Sequence, residues 1–384
     1  MNRRSLSVLF AVLFLVMTGF SILFPVLPHY ARHMGATEAQ WGWIVAAYSL
    51  MQFLFSPFWG SLSDRIGRKR VLLVGLAGYV GTFVLLALAQ TLLQVFLVRA
   101  VSGALTAATL PTAMAYVGDN TTKEERARGM GVLGAAMGLG VIFGPMIGAF
   151  LSRISLATPF WASAASGAIT FVLATMLLPE SRPEYGSARA SRSRWEVLRG
   201  QMGMLNLVAL AVSFVIAAFE ATFALFILDR FALGGLAQGY MFGLVGLAAA
   251  LVQGGIVHRV MRRYGDERVL AAGMGVVALG LGLLVAAWSV AALYWVVIVY
   301  GTGYGLVRPA VATLVSKRAA AQGEAIGAMD AMDAMGRVLG PVVAGTAYAH
   351  LGPPAPYALG VLVMLAVLAA FQLQTGQRRA QEAR

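Results

Sequence analysis

Apolar positions run along this chain in long unbroken stretches, not in alternating or one-sided patterns. No Asp, Glu, Lys or Arg occurs between Ser5 and Ala31, between Val71 and Val98, or between Val269 and Val307. A helix crosses a hydrocarbon core with roughly 20 apolar residues, whereas a barrel strand needs only a short alternating segment. The runs therefore predict transmembrane helices. Twelve are expected, near 5–28, 40–62, 71–90, 92–117, 129–151, 156–178, 203–228, 236–257, 269–287, 291–315, 324–348 and 355–373. The run 269–307 is too long for one crossing and is divided near Trp288 and Ser289, where an interfacial Trp meets a short turn. Arg3 and Arg4 precede the first span like the head of a signal peptide. That span is too long for a signal core and lacks a small-residue cleavage site, so it reads as a helix.

Composition agrees. The 384 residues are 59% hydrophobic and only 12% charged, against about 25% charged in a soluble domain. The net charge of +13 would suit nucleic acid, but its distribution points elsewhere. With the amino terminus inside, 23 of the 29 Lys and Arg residues fall in cytoplasmic segments. Arg32, Arg153 and Arg230 fall outside, and Arg99, Arg308 and Arg337 fall within spans. This asymmetry predicts both termini in the cytoplasm and basic loops against anionic lipid headgroups, with no nucleic-acid partner. There is no cysteine, and no metal cluster, P-loop or nucleophile elbow. Neither an enzyme nor a cofactor is expected. The four His residues sit near span ends and read as interfacial.

The chain reads as a duplicated half. Its longest polar segment, Pro179 to Gly200, is rich in Ser and Arg and falls between the sixth and seventh spans. Within it Trp195, Val197 and Leu198 suggest a short interfacial helix. The expected organisation is an amino-terminal six-helix bundle (1–178), a cytoplasmic linker (179–202) and a carboxy-terminal six-helix bundle (203–384). The halves match at an offset near 198: GRKRVLLVG from Gly67 answers to GDERVLAAG from Gly265, and Pro111 to Pro309. Gly144-Pro145 answers to Gly340-Pro341, and Phe20-Ser21 to Phe219-Glu220. Two similar halves suit alternating access, because near-equal bodies can rock about one site between states of similar energy.

Three motifs carry chemistry. Between the second and third spans stands Gly60-Ser-Leu-Ser-Asp64-Arg65-Ile-Gly67-Arg68-Lys69. Gly60 is small enough for close helix approach, and Gly67 permits a turn with positive φ. Asp64 is the lone acid of a basic loop, expected to accept from Arg65 or from a helix N-terminus. Its echo has Asp266 and Glu267 where Arg68 and Lys69 stand, which suggests a working latch in the first half and a weaker one in the second. The fourth span holds Arg99-Ala-Val-Ser-Gly103. The fifth holds GVIFGPMIG, with Gly140, Gly144, Pro145 and Gly148, whose small residues allow tight packing while Pro145 removes a helical hydrogen bond.

The loop resembles the signature of the major facilitator superfamily, G-x-x-x-D-R-x-G-R-[KR]. Arg99 to Gly103 resembles its intramembrane arginine motif, and Gly140 to Gly148 its antiporter motif, associated there with exporters. In the second half Phe219-Glu220-Ala-Thr-Phe223, Gly305-Leu-Val-Arg308-Pro309 and Gly340-Pro341-Val-Val-Ala-Gly345 resemble the drug:proton antiporter branch, of the quinolone- and tetracycline-exporter type. The resemblance implies an all-α integral membrane fold of twelve helices in two pseudo-symmetric bundles. It also implies export of amphiphilic small molecules by proton antiport across a bacterial-type plasma membrane, and a monomer.

Ionisable residues inside spans are costly and are functional candidates by default. They are Arg99, Glu220, Arg308, Asp330, Asp333 and Arg337. Glu220 has no basic neighbour on its own helix, which suits a group that takes up and releases a proton once per cycle, as relatives use the acid of this motif. Asp330 and Asp333 share a face, with Arg337 one turn beyond. The spacing predicts pairs Asp333 with Arg337 and Asp330 with Arg308, and leaves open whether the two Asp residues also carry protons. Candidate cavity residues are Ser21 and the aromatics Tyr48, Trp161, Phe223 and Tyr304, the last four from a set that also includes Phe53, Phe58, Phe226 and Trp295. A transporter of one metabolite, sugar or lipid-linked glycan remains an alternative, as does a receptor or scaffold that has lost transport.

Overall fold

Inside lipid a chain must satisfy its backbone hydrogen bonds within each segment, and the described residues accordingly form helices and no strand. The structure is a computed structural model and describes residues 3–181, 200–318 and 322–382. The expected interfacial helix at Trp195, Val197 and Leu198 lies outside those residues.

The helices are α1 (Arg3–His33), α2 (Glu38–Ile66), α3 (Arg68–Leu88), α4 (Leu92–Thr106), α5 (Thr109–Asp119), α6 (Lys123–Leu151) and α7 (Thr158–Leu177). In the second half come α8 (Gly200–Phe231), α9 (Gly235–Leu251), α10 (Val257–Tyr264), α11 (Asp266–Ala286), α12 (Val290–Arg318), α13 (Gln322–Leu351) and α14 (Ala355–Glu382). They make twelve crossings, because α4 with α5, and α9 with α10, each form one. Ten segments are long and apolar enough to span a membrane by length and composition. The other two are α2, diluted by Trp, Gly, Ser and Gln, and α13, which carries Asp330, Asp333 and Arg337. The division at Trp288 is observed, between α11 and α12.

Two crossings depart from a single regular helix. The fourth breaks at Ala107 and Ala108. Pro111 lies four residues beyond Ala107, so its ring crowds the Ala107 carbonyl and offers it no N–H. The eighth widens into a π-helical segment, Val252–Ile256, containing Gly254 and Gly255.

The chain forms two compact units. One comprises the described residues of Met1–Ala188 with Leu233–Gly243, the other those of Arg189–Ala232 and Leu244–Arg384. Their helix pairings correspond. In the first, α1 packs on α6 and α7, and α3 on α7; in the second, α8 packs on α13 and α14, and α11 on α14. Glycines make the closest pairings. A Cβ on Gly140 would lie 2.7 Å from the Met17 Cβ, and Gly144 and Gly148 sit against the α1 backbone at Thr18 and Ile22. At the matching place Gly336 faces the Phe214 nitrogen, where a Cβ would lie 2.7 Å away, and Gly340 faces the Phe214 carbonyl.

Candidate functional site

The signature loop is built around Arg68. Gly67 takes φ 104°, a conformation that favours glycine, and so joins α2 directly to α3. That turn aims Arg68 inward, and the residue is only 7% exposed. Its guanidinium donates to Asp64 Oδ1 at 2.5 Å, to Asp119 Oδ2 at 2.8 Å and to Ser63 Oγ at 2.6 Å. The partner of Asp64 is therefore Arg68, not Arg65 and not a helix end. The carboxylate at a helix N-terminus is Glu180, which accepts from the Lys69 backbone N–H at 2.9 Å. Arg68 N donates to the Ser181 carbonyl and Lys69 Nζ to the Thr175 carbonyl, tying the loop to the end of the sixth span. Gly60 does not serve close approach here, since a Cβ there would meet nothing within 4 Å.

The echo loop, expected to be the weaker latch, has ion pairs of its own. Asp266 Oδ2 accepts from Lys317 Nζ at 2.5 Å, and Glu267 pairs with Arg318 and, at 3.8 Å, with Arg378. Asp266 and Lys317 stand 51 residues apart, as do Arg68 and Asp119. The sequence reading missed Asp119, Glu180, Lys317 and Arg378. The signal was present, since each acid has a base at the same offset in the other half.

Within the first unit Arg99 is 4% exposed and lies over the Tyr48 ring, 4.2 Å from its centroid. Among the described residues it makes no ion pair, and its Nε has no hydrogen-bond partner. One turn on, Gly103 lets the Tyr48 carbonyl in against α4, and the Tyr48 hydroxyl bonds Thr106 Oγ1 at 3.1 Å. The Arg-x-x-x-Gly spacing thus fastens α4 to one residue of α2. In the antiporter motif Ser21 Oγ donates to the Gly140 carbonyl at 2.9 Å. Gly239 of α9, in the same unit, packs on the Pro145 carbonyl, and Gly243 on Met146.

In the second unit the intramembrane charges gather from α8, α12 and α13. Asp333 accepts from Ser213 at 2.7 Å and pairs with Arg308 at 3.9 Å. Neither expected pair forms: Arg308 takes Asp333 rather than Asp330. Arg337 makes no ion pair among the described residues, and neither does the exposed Asp330. Helical spacing gave the shared face correctly but not which neighbour that face meets. Glu220 is half-buried and has no contact ion pair, yet Arg337 and then Arg308 act on it electrostatically. Tyr300, whose buried hydroxyl has no hydrogen-bond partner among the described residues, stacks on Phe219 at 4.3 Å.

The candidate cavity residues divide. Ser21 is buried between α1 and α6, Phe223 is buried against Phe219, and Tyr48 lies under Arg99, so packing already occupies all three. Trp161 is exposed on α7, and Tyr304 lies half-buried with its hydroxyl 3.5 Å from Arg308 Nη1.

Comparison with known proteins agrees with this geometry. Residues 9–341 match the family model described as Major Facilitator Superfamily. The chain is 31% identical to the class C tetracycline resistance protein of Escherichia coli, over 91% of this chain and 90% of that one. It is 28% identical to multidrug resistance protein 1 of Bacillus subtilis strain 168, covering 89% of each, and 26% identical to the quinolone resistance protein NorA of Staphylococcus aureus, covering 97% of each. Among solved structures, the human organic anion transporter MFSD10 superposes with TM-score 0.72 at 24% identity, covering 96% of this chain and 99% of that one. The nucleoside transporter NupG superposes with TM-score 0.79 at 16% identity, covering 98% and 99%; at these identities the likeness shows the fold alone. These relatives and neighbours are transporters or resistance pumps, not enzymes. The chain belongs to the Major Facilitator Superfamily, a multi-pass membrane transporter similar within it to the drug:proton antiporter branch.

Proposed function

We propose that this transporter exports amphiphilic small molecules in exchange for protons, as a monomer in a bacterial-type plasma membrane with both termini cytoplasmic. The bundles 1–178 and 203–384, joined by the linker 179–202, are its two moving bodies. Glu220 carries this reading: it is a half-buried carboxylate in a span, held by no contact ion pair. Asp333 has its charge answered by Arg308 and its oxygen by Ser213. Glu220 has arginines in reach but not in contact, so its charge is free to be exchanged for a proton or answered by a cationic substrate. Protonated, it is a neutral side chain that suits an occluded state; ionised, it needs water or a cation and favours an open one. That differential is what alternating access requires. The resistance proteins named above, similar over most of their length, support the substrate class.

The test is accumulation of a lipophilic cationic dye in inverted vesicles under a proton gradient. Glu220→Gln should fold, lose gradient-driven accumulation and keep downhill exchange. Asp330→Asn should fold and transport. Asp333→Asn should lose stability instead, because it leaves an intramembrane arginine, Arg308, without its paired charge. Gradient-driven accumulation by Glu220→Gln would remove the proton from this helix. Susceptibility profiling of cells overexpressing the chain separates a drug exporter from a transporter of one metabolite.

A further inference from the structure

The end of the eighth span carries positive charge that no acid among the described residues answers. On α10, His258, Arg259, Arg262 and Arg263 are all exposed, and Arg268 is exposed just beyond. None makes an ion pair among the described residues; Arg263 only leans on the Tyr264 ring, 5.5 Å from its centroid. The two acids that follow are already engaged, Asp266 by Lys317 and Glu267 by Arg318 and Arg378. The opposite face of α10 is buried through Val257 and Met261. The helix therefore lies with one side fixed to the protein and the other lined by arginines.

What borders this stripe decides its partner. Leu251 and Ile256, just before it, are exposed at 62% and 50%, and Tyr264 closes it at 50%. Ile256, Arg259 and Arg263 follow one another at spacings of three and four, which puts them on one side of the helix. An outward apolar surface that gives way within about 10 Å to guanidinium groups and then to an interfacial aromatic matches the boundary between acyl chains and headgroups. A soluble polyanion would meet the arginines but would leave Leu251 and Ile256 in water. The corresponding positions of the first half, Ser61, Asp64 and Arg65, offer a mixed charge instead.

We propose that Arg259, Arg262 and Arg263 form a binding site for the phosphate of an anionic phospholipid, such as phosphatidylglycerol, on the membrane-facing side of the eighth span. The site does not depend on which substrate is carried. The headgroup bridges the arginines, and its acyl chains lie along Ile256 and Leu251. The bound lipid also steadies the π-helical segment itself, where Gly254 and Gly255 have no packing neighbour to hold them: a Cβ on either would meet nothing within 4 Å.

The experiment titrates phosphatidylglycerol onto the purified full chain in phosphatidylcholine nanodiscs and counts retained lipids by native mass spectrometry. Arg259→Ala with Arg263→Ala should weaken phosphatidylglycerol retention by roughly thirtyfold, since each arginine near an anionic surface contributes about a factor of five. Arg126→Ala with Arg128→Ala, an equal loss of charge elsewhere, should change it less than threefold. Equal weakening by both pairs, or no weakening by the first, overturns the site. Displacement of phosphatidylglycerol by inorganic phosphate at matched concentration would make the ligand a soluble phosphate and overturn the lipid assignment. If the alanine pair lowers monodisperse yield, Arg259→Lys with Arg263→Lys settles the matter: retained charge should retain binding to within about threefold, and thirtyfold weakening would contradict the proposal.

Discussion

The loop after the second span and the loop after the eighth hold the same positions with opposite signs. Asp64, Arg68, Lys69, Asp119 and Glu180 in the first half answer to Arg262, Asp266, Glu267, Lys317 and Arg378 in the second. Ion pairs form in both, because attraction depends on the product of two charges and survives their exchange. The helix dipole does not exchange. α3 begins with Arg68, Lys69 and Arg70 and has no acid in its first turn, whereas α11 begins with Asp266 and Glu267. Acids suit a helix N-terminus and bases do not, by about 0.3–1 kcal/mol each. The second cluster is therefore favoured locally. The first is held only by what surrounds it: Asp64, Asp119, and Glu180 acting as a cap from the stretch that follows α7. A cluster that depends on distant partners is the one suited to breaking and remaking during a transport cycle.

The comparison breaks most visibly at Arg68. It is buried and serves two carboxylates, so Arg68→Ala strands Asp119 and should lower stability by about 3 kcal/mol. Lys317→Ala, at a side chain 64% exposed, should cost no more than about 1 kcal/mol. Thermal unfolding of both variants in the same detergent reads the difference. Equal costs would mean that the two clusters are energetically alike despite their burial.

Exchanging polarity sharpens it. Asp64→Arg, Arg68→Asp and Asp119→Lys together give Arg68 and its two acids the signs of their counterparts in the second half. With an acid now at the start of α3, most of the loss from Arg68→Ala should return, leaving the triple variant within about 1 kcal/mol of the parent. A triple variant less stable than the single one would show that burial, not sign, fixes the arrangement.

How much of this was legible in sequence follows from the range of each interaction. The twelve crossings, the division at Trp288 and the positive φ of Gly67 follow from local composition, and all were read correctly. The tight packing of Gly140, Gly144 and Gly148 was legible as small residues one turn apart. The break before Pro111 was missed because Pro309, its counterpart, sits in α12 without one. Tertiary contacts decide which proline interrupts a helix. The ion pairs failed for a related reason. Spacing places Asp330, Asp333 and Arg337 on one face, but α8 and α12 determine what that face meets, so Asp333 found Ser213 and Arg308. The ion pairs of the echo loop went unread because a motif was compared letter by letter, when what the halves share is the product of charges.

Glu267 gives a smaller effect in the second half. It engages both Arg318 and Arg378, at partly exposed side chains. Glu267→Gln keeps a hydrogen-bond acceptor but removes the charge and should cost about 1 kcal/mol. Part of that cost should vanish in high salt, where surface attraction is screened. A cost independent of salt would show packing rather than charge at work there.

Asp64→Asn should produce the smallest change in stability and the most informative change in transport. Its side chain is 58% exposed, and Arg68 keeps Asp119 and Ser63 when the Asp64 charge is gone. The loss should stay below about 1 kcal/mol, and expression should match the parent. If the first-half cluster holds one state of the cycle, removing one of the two acids on Arg68 shifts the balance between states without unfolding either. A shift of 1 kcal/mol between states of similar energy changes their ratio about fivefold. Gradient-driven transport should then fall several-fold while the unfolding temperature barely moves. Glu267→Gln, in a cluster favoured by its own helix dipole, should show the reverse: a measurable loss of stability with transport near the parental rate. If Asp64→Asn transports at the parental rate, the first loop is merely topogenic. The polarity difference between the halves would then have no part in the cycle.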